Sequence, residues 1–279
     1  MSKNLALLKL GGSLITDKTH PHTPRLDVLQ RLAQEIAQAR AQSRDLQLLL
    51  GHGSGSFGHV PAKKYNTRQG VRTPEEWNGF AEVWYQAAEL NHLVLQALED
   101  AGIPALAFPP SAMVIAQDGK AAVWNLDPLR YALANGLLPV VYGDVVFDTI
   151  RGGTILSTED LFAYLVPELH PGRMLLAGLE PGVWADYPAR TRLLPEITPS
   201  DFPHVAAGLG SSAAIDVTGG MDDKVRQALA LVEEIRGLKV LIFSGEVPGT
   251  VRQVLLGEDK GTLIHRRTGT ESSPGEKRL

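Results

Sequence analysis

The chain has 279 residues, of which 44% are hydrophobic and 21% are charged, so it can form one large α/β domain or two small ones. A formal net charge of -4 provides no overall positive field for nucleic acid, and the absence of cysteine excludes disulfides, thiolate catalysis and cysteine-bound metals. Residues 1–18 lack the apolar region and cleavage site of a signal peptide and no apolar stretch could span a bilayer, so we expect a cytoplasmic enzyme that binds neither nucleic acid nor membrane.

Strand-length apolar runs alternate with helical patterns along the chain. Residues 5–10 predict a buried strand that ends at a Gly-Gly pair, and residues 26–42 carry apolar side chains at helical spacing. A second strand is predicted at 46–50 and a long helix at 74–102, where Pro74 suits a first helical turn. Further strands are predicted at residues 103–108, 138–143, 173–178 and 239–245, and a helix at 223–231. The strand runs are continuously apolar, as in strands covered on both faces, which predicts a three-layer αβα sandwich around a mostly parallel sheet.

The composition of the chain changes near Pro167, in the segment "VPELHPG". This change predicts two lobes, formed by residues 1–170 and 171–265. Residues 186–210 are rich in proline, alanine and polar residues and are expected to form a surface excursion. Residues 266–279 have too few apolar side chains to bury a core and are expected to form a disordered tail.

A glycine-rich loop follows the second predicted strand. It contains Gly53-x-Gly55-x-x-Gly58, a fingerprint of dinucleotide-binding folds. That fold also needs a helix that begins inside the motif and an acidic residue at the end of the next strand. Pro61 disfavours the helix, and residues 66–77 contain no strand that ends in an acid. We therefore expect the loop to approach an anion other than the pyrophosphate of NAD, with a glycine turn that binds nothing as the alternative.

Two lysines flank a second glycine turn near the start of the chain. The first predicted strand brings Lys9 to a Gly-Gly-Ser sequence, and Lys18 follows nine residues later. Backbone N–H groups and ammonium groups together suit a polyphosphate. A strand-end lysine on a solvated rim is the alternative for either residue taken singly.

Four segments carry a family resemblance in the same order along the chain. They are Lys9-Leu10-Gly11-Gly12-Ser13, the seven residues 53–59 with Ser54 where glycine is usual, residues 142–161, and "DVTGGMDDKV" at 216–225. On these residues the chain resembles the amino acid kinase family, and within it the isopentenyl phosphate kinase branch, over nearly its whole length up to residues 261–264. It departs from the family pattern at Gly178 and Glu180, which replace common aspartates, at Pro181 and at Asp222-Asp223, and these departures concern how the nucleotide is held.

The resemblance implies an amino acid kinase-like fold and transfer of the γ-phosphoryl group of ATP to isopentenyl monophosphate, giving isopentenyl diphosphate. Residues 1–170 would bind the phosphate acceptor and residues 171–265 the nucleotide. The resemblance also implies a homodimer, and Mg²⁺ held mainly by phosphate oxygens and water. A phosphate acceptor is already a nucleophile at neutral pH, so the transfer needs positioning and charge compensation rather than a strong general base.

The same resemblance assigns four catalytic residues. His59 would donate a hydrogen bond to the acceptor phosphate. Lys9 and Lys18 would bridge the transferred group, with Lys18 stabilising the charge of the transition state. Asp160 would orient the lysines by charge pairing, and an ordinary acid in the first turn of a helix is the alternative for this residue.

The remaining implied site residues divide between the acceptor and ATP. The acceptor side comprises Ser54, Gly58, His59 and Gly143, together with Phe80 and Trp84 for the isoprenoid tail. The ATP side comprises Lys9, Gly11, Gly12, Ser13, Gly55, Gly178, Gly182, Gly219 and Lys224. No residue is assigned to a metal. Phe80 and Trp84 lie on an apolar stripe of helical spacing, which would equally suit a protein core.

Several other interpretations are weighed against this one. Residues 203–214 look like the phosphate loop of the GHMP kinases, but the sequence after them does not continue as the long helix that this loop needs, so we interpret the likeness as coincidence. Within the fold, fosfomycin kinase is the nearest alternative, followed by uridylate kinase and glutamate 5-kinase. A non-catalytic nucleotide-binding subunit is an alternative from another class, against which the joint presence of Lys9, Lys18, Asp160 and Lys224 argues.

Overall fold

The structure is a computed structural model that describes residues 4–208 and 220–267. Its strands are β1 (Leu5–Leu10), β2 (Gln47–His52), β3 (Ala105–Ala107), β4 (Val114–Gln117), β5 (Lys120–Trp124), β6 (Leu138–Tyr142), β7 (Asp144–Asp148), β8 (Gly152–Leu156), β9 (Arg173–Gly178), β10 (Val183–Trp184), β11 (Leu193–Leu194), β12 (Glu196–Ile197), β13 (Lys239–Ser244) and β14 (Thr262–His265). Its α-helices are α1 (Gly12–Ile15), α2 (Leu26–Gln42), α3 (His59–Lys64), α4 (Pro74–Asp100), α5 (Pro110–Met113), α6 (Asp127–Ala134), α7 (Thr158–Leu169), α8 (Phe202–Val205), α9 (Met221–Glu234) and α10 (Thr250–Leu255). Within the described residues, none of these helices has the length and apolar character needed to cross a membrane.

Eight strands form the main sheet, in the order β12-β14-β13-β9-β1-β2-β6-β3. All neighbouring pairs are parallel except β13 and β14. β1 lies between β9 and β2, so Lys9 is opposite Leu176 on one side and Gly51 on the other. The predicted mostly parallel sheet is confirmed. Ligands of such sheets bind beyond the carboxyl ends of the strands, and here the ends of β1, β2, β6 and β9 are neighbours.

Helices cover both faces of the main sheet. Leu7 and Leu49 belong to a core cluster that includes residues of α6, α7 and α9. Leu8 and Leu50 belong to a second cluster, with residues of α2, α4 and α10. Successive strand residues point to opposite faces, so a strand that is buried on both faces has a continuous apolar sequence. The predicted three-layer αβα arrangement is confirmed.

A second sheet has four strands in the order β5-β4-β7-β8. The apolar pattern does not predict it, because these strands are short and several of their residues are exposed. The sheet packs against α4 through a third apolar cluster. This cluster comprises Ala62, Val71, Phe80, Val83 and Val145, with Trp77 and Ile155 partly buried beside them.

The expectation that Pro61 disfavours a helix after the glycine loop is wrong. α3 begins at His59, and Pro61 is the third residue of this helix. The N–H groups of a first helical turn have no partner inside the helix, so proline is tolerated there. The argument against a dinucleotide fold therefore depends on the missing acidic residue alone.

Two other predicted segments differ from expectation. Residues 103–108 contain only the three-residue strand β3, which lies at the edge of the sheet and leaves Leu106 49% exposed, so this run is not covered on both faces. Within the predicted excursion at 186–210, β12 joins the main sheet beside β14 and buries Ile197, so this segment is not wholly on the surface.

The predicted lobe boundary lies between α7 and β9. The main sheet continues across this boundary, because β9 pairs with β1. The division into an acceptor lobe, residues 1–170, and a nucleotide lobe, residues 171–265, stays a prediction. The predicted tail also stays a prediction, since residues 268–279 lie outside the described part of the chain.

Candidate active site

A cavity lies at the carboxyl edge of the main sheet, among the segments that follow β1, β2, β6 and β9. It brings together eleven of the residues predicted for the site: Lys9, Gly11, Gly12, Ser13, Lys18, Ser54, Gly55, His59, Gly143, Gly178 and Lys224. Its described wall does not include Gly58, Phe80, Trp84, Asp160 or Gly182. Gly219 lies outside the described residues. Residues from both sides of the predicted lobe boundary thus line one cavity.

The two glycine loops of the cavity approach each other so closely that a side chain would not fit between them. A Cβ atom at Gly12 would lie 2.4 Å from the backbone nitrogen of Gly55, and Gly55 itself has a φ of +55°. Thr16 links the loops, because its hydroxyl donates to the Gly12 carbonyl (2.8 Å) and accepts from the Ser56 N–H (2.8 Å). The contact therefore requires glycine at both positions.

Backbone N–H groups of both loops are available to a ligand. Within residues 4–208 and 220–267, no acceptor is paired with the N–H of Ser13, Ser54 or Gly55. All three residues line the cavity. Unpaired N–H groups at glycine-rich turns form concave sites that bind anions. The cavity can therefore bind phosphate through the backbone as well as through side chains.

Lys9 and Glu159 form a buried ion pair at the base of the cavity. The Lys9 Nζ lies 2.5 Å from the Glu159 Oε1, and both residues are buried. Burial acts to raise the pKa of Glu159, but the positive charges of Lys9 and Lys224 outweigh it and hold that pKa below its usual range. Glu159 is therefore ionised at neutral pH and attracts two of the three cavity lysines.

Among the described residues Glu159, not Asp160, pairs with Lys9, and the prediction that Asp160 orients the lysines by charge pairing is corrected accordingly. The Asp160 Oδ2 accepts from the N–H and hydroxyl of Ser157 (2.8 and 2.7 Å) and pairs with Arg68 (3.0 Å). Consecutive residues of a helix point about 100° apart, so only one of the two acids faces the cavity. The spacing Ser157-x-x-Asp160 is a capping-box pattern, and this signal in the sequence could have assigned Asp160 to the helix end.

Three lysines and one histidine reach the cavity from separate elements. Lys9 comes from β1, Lys18 from the segment between α1 and α2, Lys224 from the first turn of α9, and His59 from the start of α3. Lys9 is buried, whereas Lys18 is exposed at the cavity rim. Positive charge concentrated in one cleft attracts anions and suits a ligand with several phosphate groups.

Two glycines predicted to bind ligands are needed for the fold of their loops instead. Gly58 has a φ of +78° and donates its N–H to the Gln86 Oε1 (2.7 Å), so it forms the turn that directs the chain into α3. A Cβ atom at Gly182 would lie 2.6 Å from the Thr262 Oγ1, so Gly182 allows the chain to pass close to β14. Neither contact involves the cavity.

The two aromatic residues predicted for the isoprenoid tail lie in different surroundings. Phe80 is buried in the third apolar cluster, whereas Trp84 is 43% exposed on α4. Ile155, which the sequence argument did not name, belongs to that cluster and also lines the cavity. Phe80 and the cavity residue Ile155 therefore share one apolar cluster, to which Trp84 does not belong.

The end of β9 forms the wall of the cavity at the predicted nucleotide side. Apart from its chain neighbours, no atom of the described residues would lie within 4 Å of a Cβ atom at Gly178, so this position faces open space. Glu180 also lines the cavity, where it accepts a hydrogen bond from the Trp184 Nε1 (2.8 Å) and pairs with Arg190 (3.1 Å). At the two positions where aspartate is common in the family, this wall therefore has a glycine without a side chain, Gly178, and a carboxylate whose charge is balanced by Arg190, Glu180.

Gly12→Ala and Gly178→Ala form a matched pair, because both glycines line the cavity and neither has a positive φ. Gly12→Ala is expected to lower the free energy of unfolding by about 1–3 kcal/mol, since the new methyl group would overlap the Gly55 backbone. Gly178→Ala is expected to change it by less than about 1 kcal/mol, since the methyl group meets no atom. Urea denaturation without ligand measures both, and equal losses would contradict the close contact of the loops.

Comparisons with known proteins agree with this geometry. A model of the Amino acid kinase family matches residues 4–244. Isopentenyl phosphate kinase from Methanothermobacter thermautotrophicus is 36% identical over 272 residues, which cover 93% of this chain and 98% of that protein. The protein of the same name from Methanocaldococcus jannaschii is 32% identical over 266 residues, with 93% and 98% covered. A solved structure of isopentenyl phosphate kinase superimposes with a TM-score of 0.78 at 33% identity, covering 93% of this chain and 99% of the other. This chain therefore belongs to the amino acid kinase family.

Proposed function

We propose that this protein transfers the γ-phosphoryl group of ATP to isopentenyl monophosphate and releases ADP and isopentenyl diphosphate. The proposal is supported by its similarity, over nearly the whole chain, to two proteins named isopentenyl phosphate kinase. The observation that carries it is that His59 lines the same cavity as Lys9, Lys18 and Lys224. A histidine beside a glycine loop, opposite several ammonium groups, suits an acceptor that already bears a phosphate.

The acceptor phosphate would bind at the loop that precedes α3. His59 would donate a hydrogen bond to it, and the Ser54 N–H would donate a second one. Gly143, at the end of β6, would let the phosphate approach the backbone. Because a phosphate oxygen is already a nucleophile at neutral pH, this arrangement needs no residue that removes a proton from the acceptor.

The ATP phosphates would bind on the opposite wall of the cavity. Lys224 would reach them from α9, and the backbone of residues 11–13 would surround them. Gly178 would leave space for the nucleotide at the end of β9, where a Cβ atom would meet no atom of the described residues within 4 Å apart from its chain neighbours. In this arrangement the donor and acceptor phosphates meet over the end of β1.

The transferred phosphoryl group would lie between Lys9 and Lys18. In an in-line transfer the negative charge on its oxygens must be compensated by groups that are already in place. Glu159 holds the Lys9 Nζ from below at 2.5 Å, so this ammonium group does not need to reorganise when the phosphates arrive. Lys18, on a more exposed segment, would complete the compensation from the rim.

The isoprenoid tail would extend toward the third apolar cluster. Ile155 is both a cavity residue and a member of this cluster, and Phe80 is one of the buried side chains of the cluster. An apolar group of this kind gains free energy when it is removed from water, by about 0.8 kcal/mol for each buried CH₂ group. The size of the side chains in the cluster would then limit the length of tail that the enzyme accepts.

Mg²⁺ would enter the cavity bound to ATP. Among the described residues, no group of three or more His, Asp or Glu side chains could hold a metal ion. Glu159, the acid beside the cavity lysines, is already paired with Lys9. These residues fit an ion held by phosphate oxygens and water, which supplies further charge compensation when it is bound.

Two further properties are proposed, the first of them from the family resemblance. The protein would be a homodimer, and it would act in the cytoplasm. Sedimentation equilibrium of the purified full chain tests the first property, and fractionation of the source cells tests the second.

A panel of acceptors tests the proposed function. ATP consumption is measured with isopentenyl phosphate, fosfomycin, UMP and glutamate in parallel, each with Mg²⁺. Turnover with isopentenyl phosphate at a kcat/KM at least about 100-fold above the other acceptors is expected. Preference for fosfomycin would favour the related antibiotic kinase, and turnover with none of the four would favour a nucleotide-binding subunit.

His59→Ala is expected to lower kcat/KM for isopentenyl phosphate by about 100-fold or more, because it removes a hydrogen bond to the acceptor phosphate. The affinity for ATP, measured by calorimetry, is expected to remain within about 3-fold, since the nucleotide would bind on the other wall. If ATP affinity is lost and acceptor affinity is retained, the His59 wall binds ATP and the opposite wall binds the acceptor, which contradicts the proposal.

Glu159→Gln is expected to lower kcat by about 100-fold or more, because Lys9 and Lys224 lose the negative charge that attracts both of them. Asp160→Asn is the matched control, since it removes the neighbouring charge but leaves Lys9 paired. Its kcat is expected to stay within about 10-fold of the wild type, with a stability loss of about 1 kcal/mol from the weakened helix cap. Steady-state kinetics at saturating ATP compares the two, and a larger loss in Asp160→Asn would contradict the role given to Glu159.

Phe80→Ala is expected to raise kcat/KM for geranyl phosphate relative to isopentenyl phosphate by about 10-fold, because it opens space in the apolar cluster that includes Ile155. Trp84→Ala is the control on the same helix and is expected to leave this ratio unchanged, since Trp84 is exposed. Competition assays with both prenyl monophosphates measure the ratio. An unchanged ratio in Phe80→Ala would place the tail elsewhere.

A further inference from the structure

His52 is a fully buried histidine directly behind the phosphate-binding loop. It ends β2, its side chain has no exposed surface, and its ring stacks on Tyr142 at 5.4 Å and 11°. The His52 Nδ1 lies 3.2 Å from the Gly53 carbonyl oxygen, and the Nε2 lies 3.2 Å from the Asn91 Oδ1. Asn91 is itself buried on α4. The ring therefore connects the long helix to the first peptide of the glycine loop.

Only one arrangement of hydrogens satisfies all three polar groups. Burial lowers the pKa of His52 and is the largest effect; the contacts with Asn91 and Gly53 oppose it by less, and the charge of Lys9 adds the smallest lowering. The ring is therefore neutral at pH 7 and carries one N–H. The Gly53 carbonyl can only accept, whereas the Asn91 amide can present either its oxygen or its NH₂ group. The N–H must accordingly lie on Nδ1. Nε2 then accepts from the Asn91 NH₂ group, which requires the Asn91 amide to be turned over so that its nitrogen takes the position given to Oδ1.

This arrangement determines the direction of the Ser54 N–H. In a trans peptide the carbonyl of one residue and the N–H of the next point in opposite directions. The Gly53 carbonyl points into the protein toward His52, so the Ser54 N–H points away from it, on the side of the cavity that Ser54 lines. Among the described residues this N–H has no acceptor. The contact between His52 and the Gly53 carbonyl, on the buried side of this peptide, thus orients the Ser54 N–H toward an anion in the cavity.

We propose that His52 is a positioning residue for phosphoryl transfer: its Nδ1–H holds the Gly53–Ser54 peptide so that the Ser54 N–H donates to a bound phosphate. His52 touches neither substrate and acts only through this peptide. The connection to transfer rests on the proposed function, whereas the binding of an anion by the Ser54 N–H does not.

Two variants of His52 separate positioning from packing. His52→Asn places its amide nitrogen near the position of Nδ1 and can still donate to the Gly53 carbonyl. His52→Gln places its amide near the position of Nε2 and loses that hydrogen bond. Both variants remove the ring and its stacking on Tyr142, so a purely structural role would affect them to a similar extent.

Kinetics and binding of the full chain test the proposal. His52→Asn is expected to keep kcat for isopentenyl phosphate within about 3-fold of the wild type, and His52→Gln to lose about 10-fold or more, with similar urea midpoints for both. The affinity for inorganic phosphate, measured by calorimetry, is expected to follow the same order. Equal losses in both variants, or a larger loss in His52→Asn, would overturn the proposal.

The tautomer of the wild-type protein provides a test that does not depend on the folding of a variant. Two-bond ¹⁵N–¹H spectra of protein labelled at histidine are expected to show the hydrogen of His52 on Nδ1. A hydrogen on Nε2, or a charged ring at pH 7, would overturn the proposal. If the wild type does not phosphorylate isopentenyl phosphate, the proposed function fails, but the tautomer and the phosphate affinities still decide the role of His52.

Discussion

The buried pair of Lys9 and Glu159 is the interaction on which the rest of the site depends. An ammonium group in the middle of a sheet is unfavourable unless a carboxylate replaces the water it has lost. Glu159 meets that need from the first turn of α7, where the positive end of the helix dipole also favours a negative charge. The pair thus fixes the position of α7 relative to β1. Because Glu159 already holds the Lys9 side chain, the positive charge at the end of β1 is in place before a ligand binds.

Much of the anion-binding capacity lies in the backbone rather than in side chains. Gly12 and Gly55 let two loops touch, and Thr16 joins them by two hydrogen bonds. His52 acts on the same loop from behind, through the Gly53 carbonyl. Donors fixed in this way have little conformational freedom left to lose when a ligand binds, in contrast to long side chains such as Lys18.

The main sheet and most of the cavity could be predicted from the sequence, because both depend on local patterns. Residues 173–178 form a strand with the predicted limits, and Lys9, Gly12 and His59 are recognisable from short motifs. The second sheet could not be predicted, because its short and partly exposed strands carry no clear periodicity. Contacts between distant parts of the chain were also out of reach. Lys9 and Glu159 are 150 residues apart, and Ile155 reaches the cavity from β8, a strand of the second sheet.

The vacant space beside Gly178 has a consequence for how this enzyme could diverge. Among the described residues, no atom outside the neighbouring residues of the chain would lie within 4 Å of a Cβ atom there, so a methyl group can be added to the glycine without disturbing the layers of the fold. Such a replacement would change the shape of one wall of the cavity and nothing else. With ATP bound at this wall, as proposed above, selection could adjust the choice of phosphoryl donor at this single codon while the acceptor chemistry on the opposite wall stays the same.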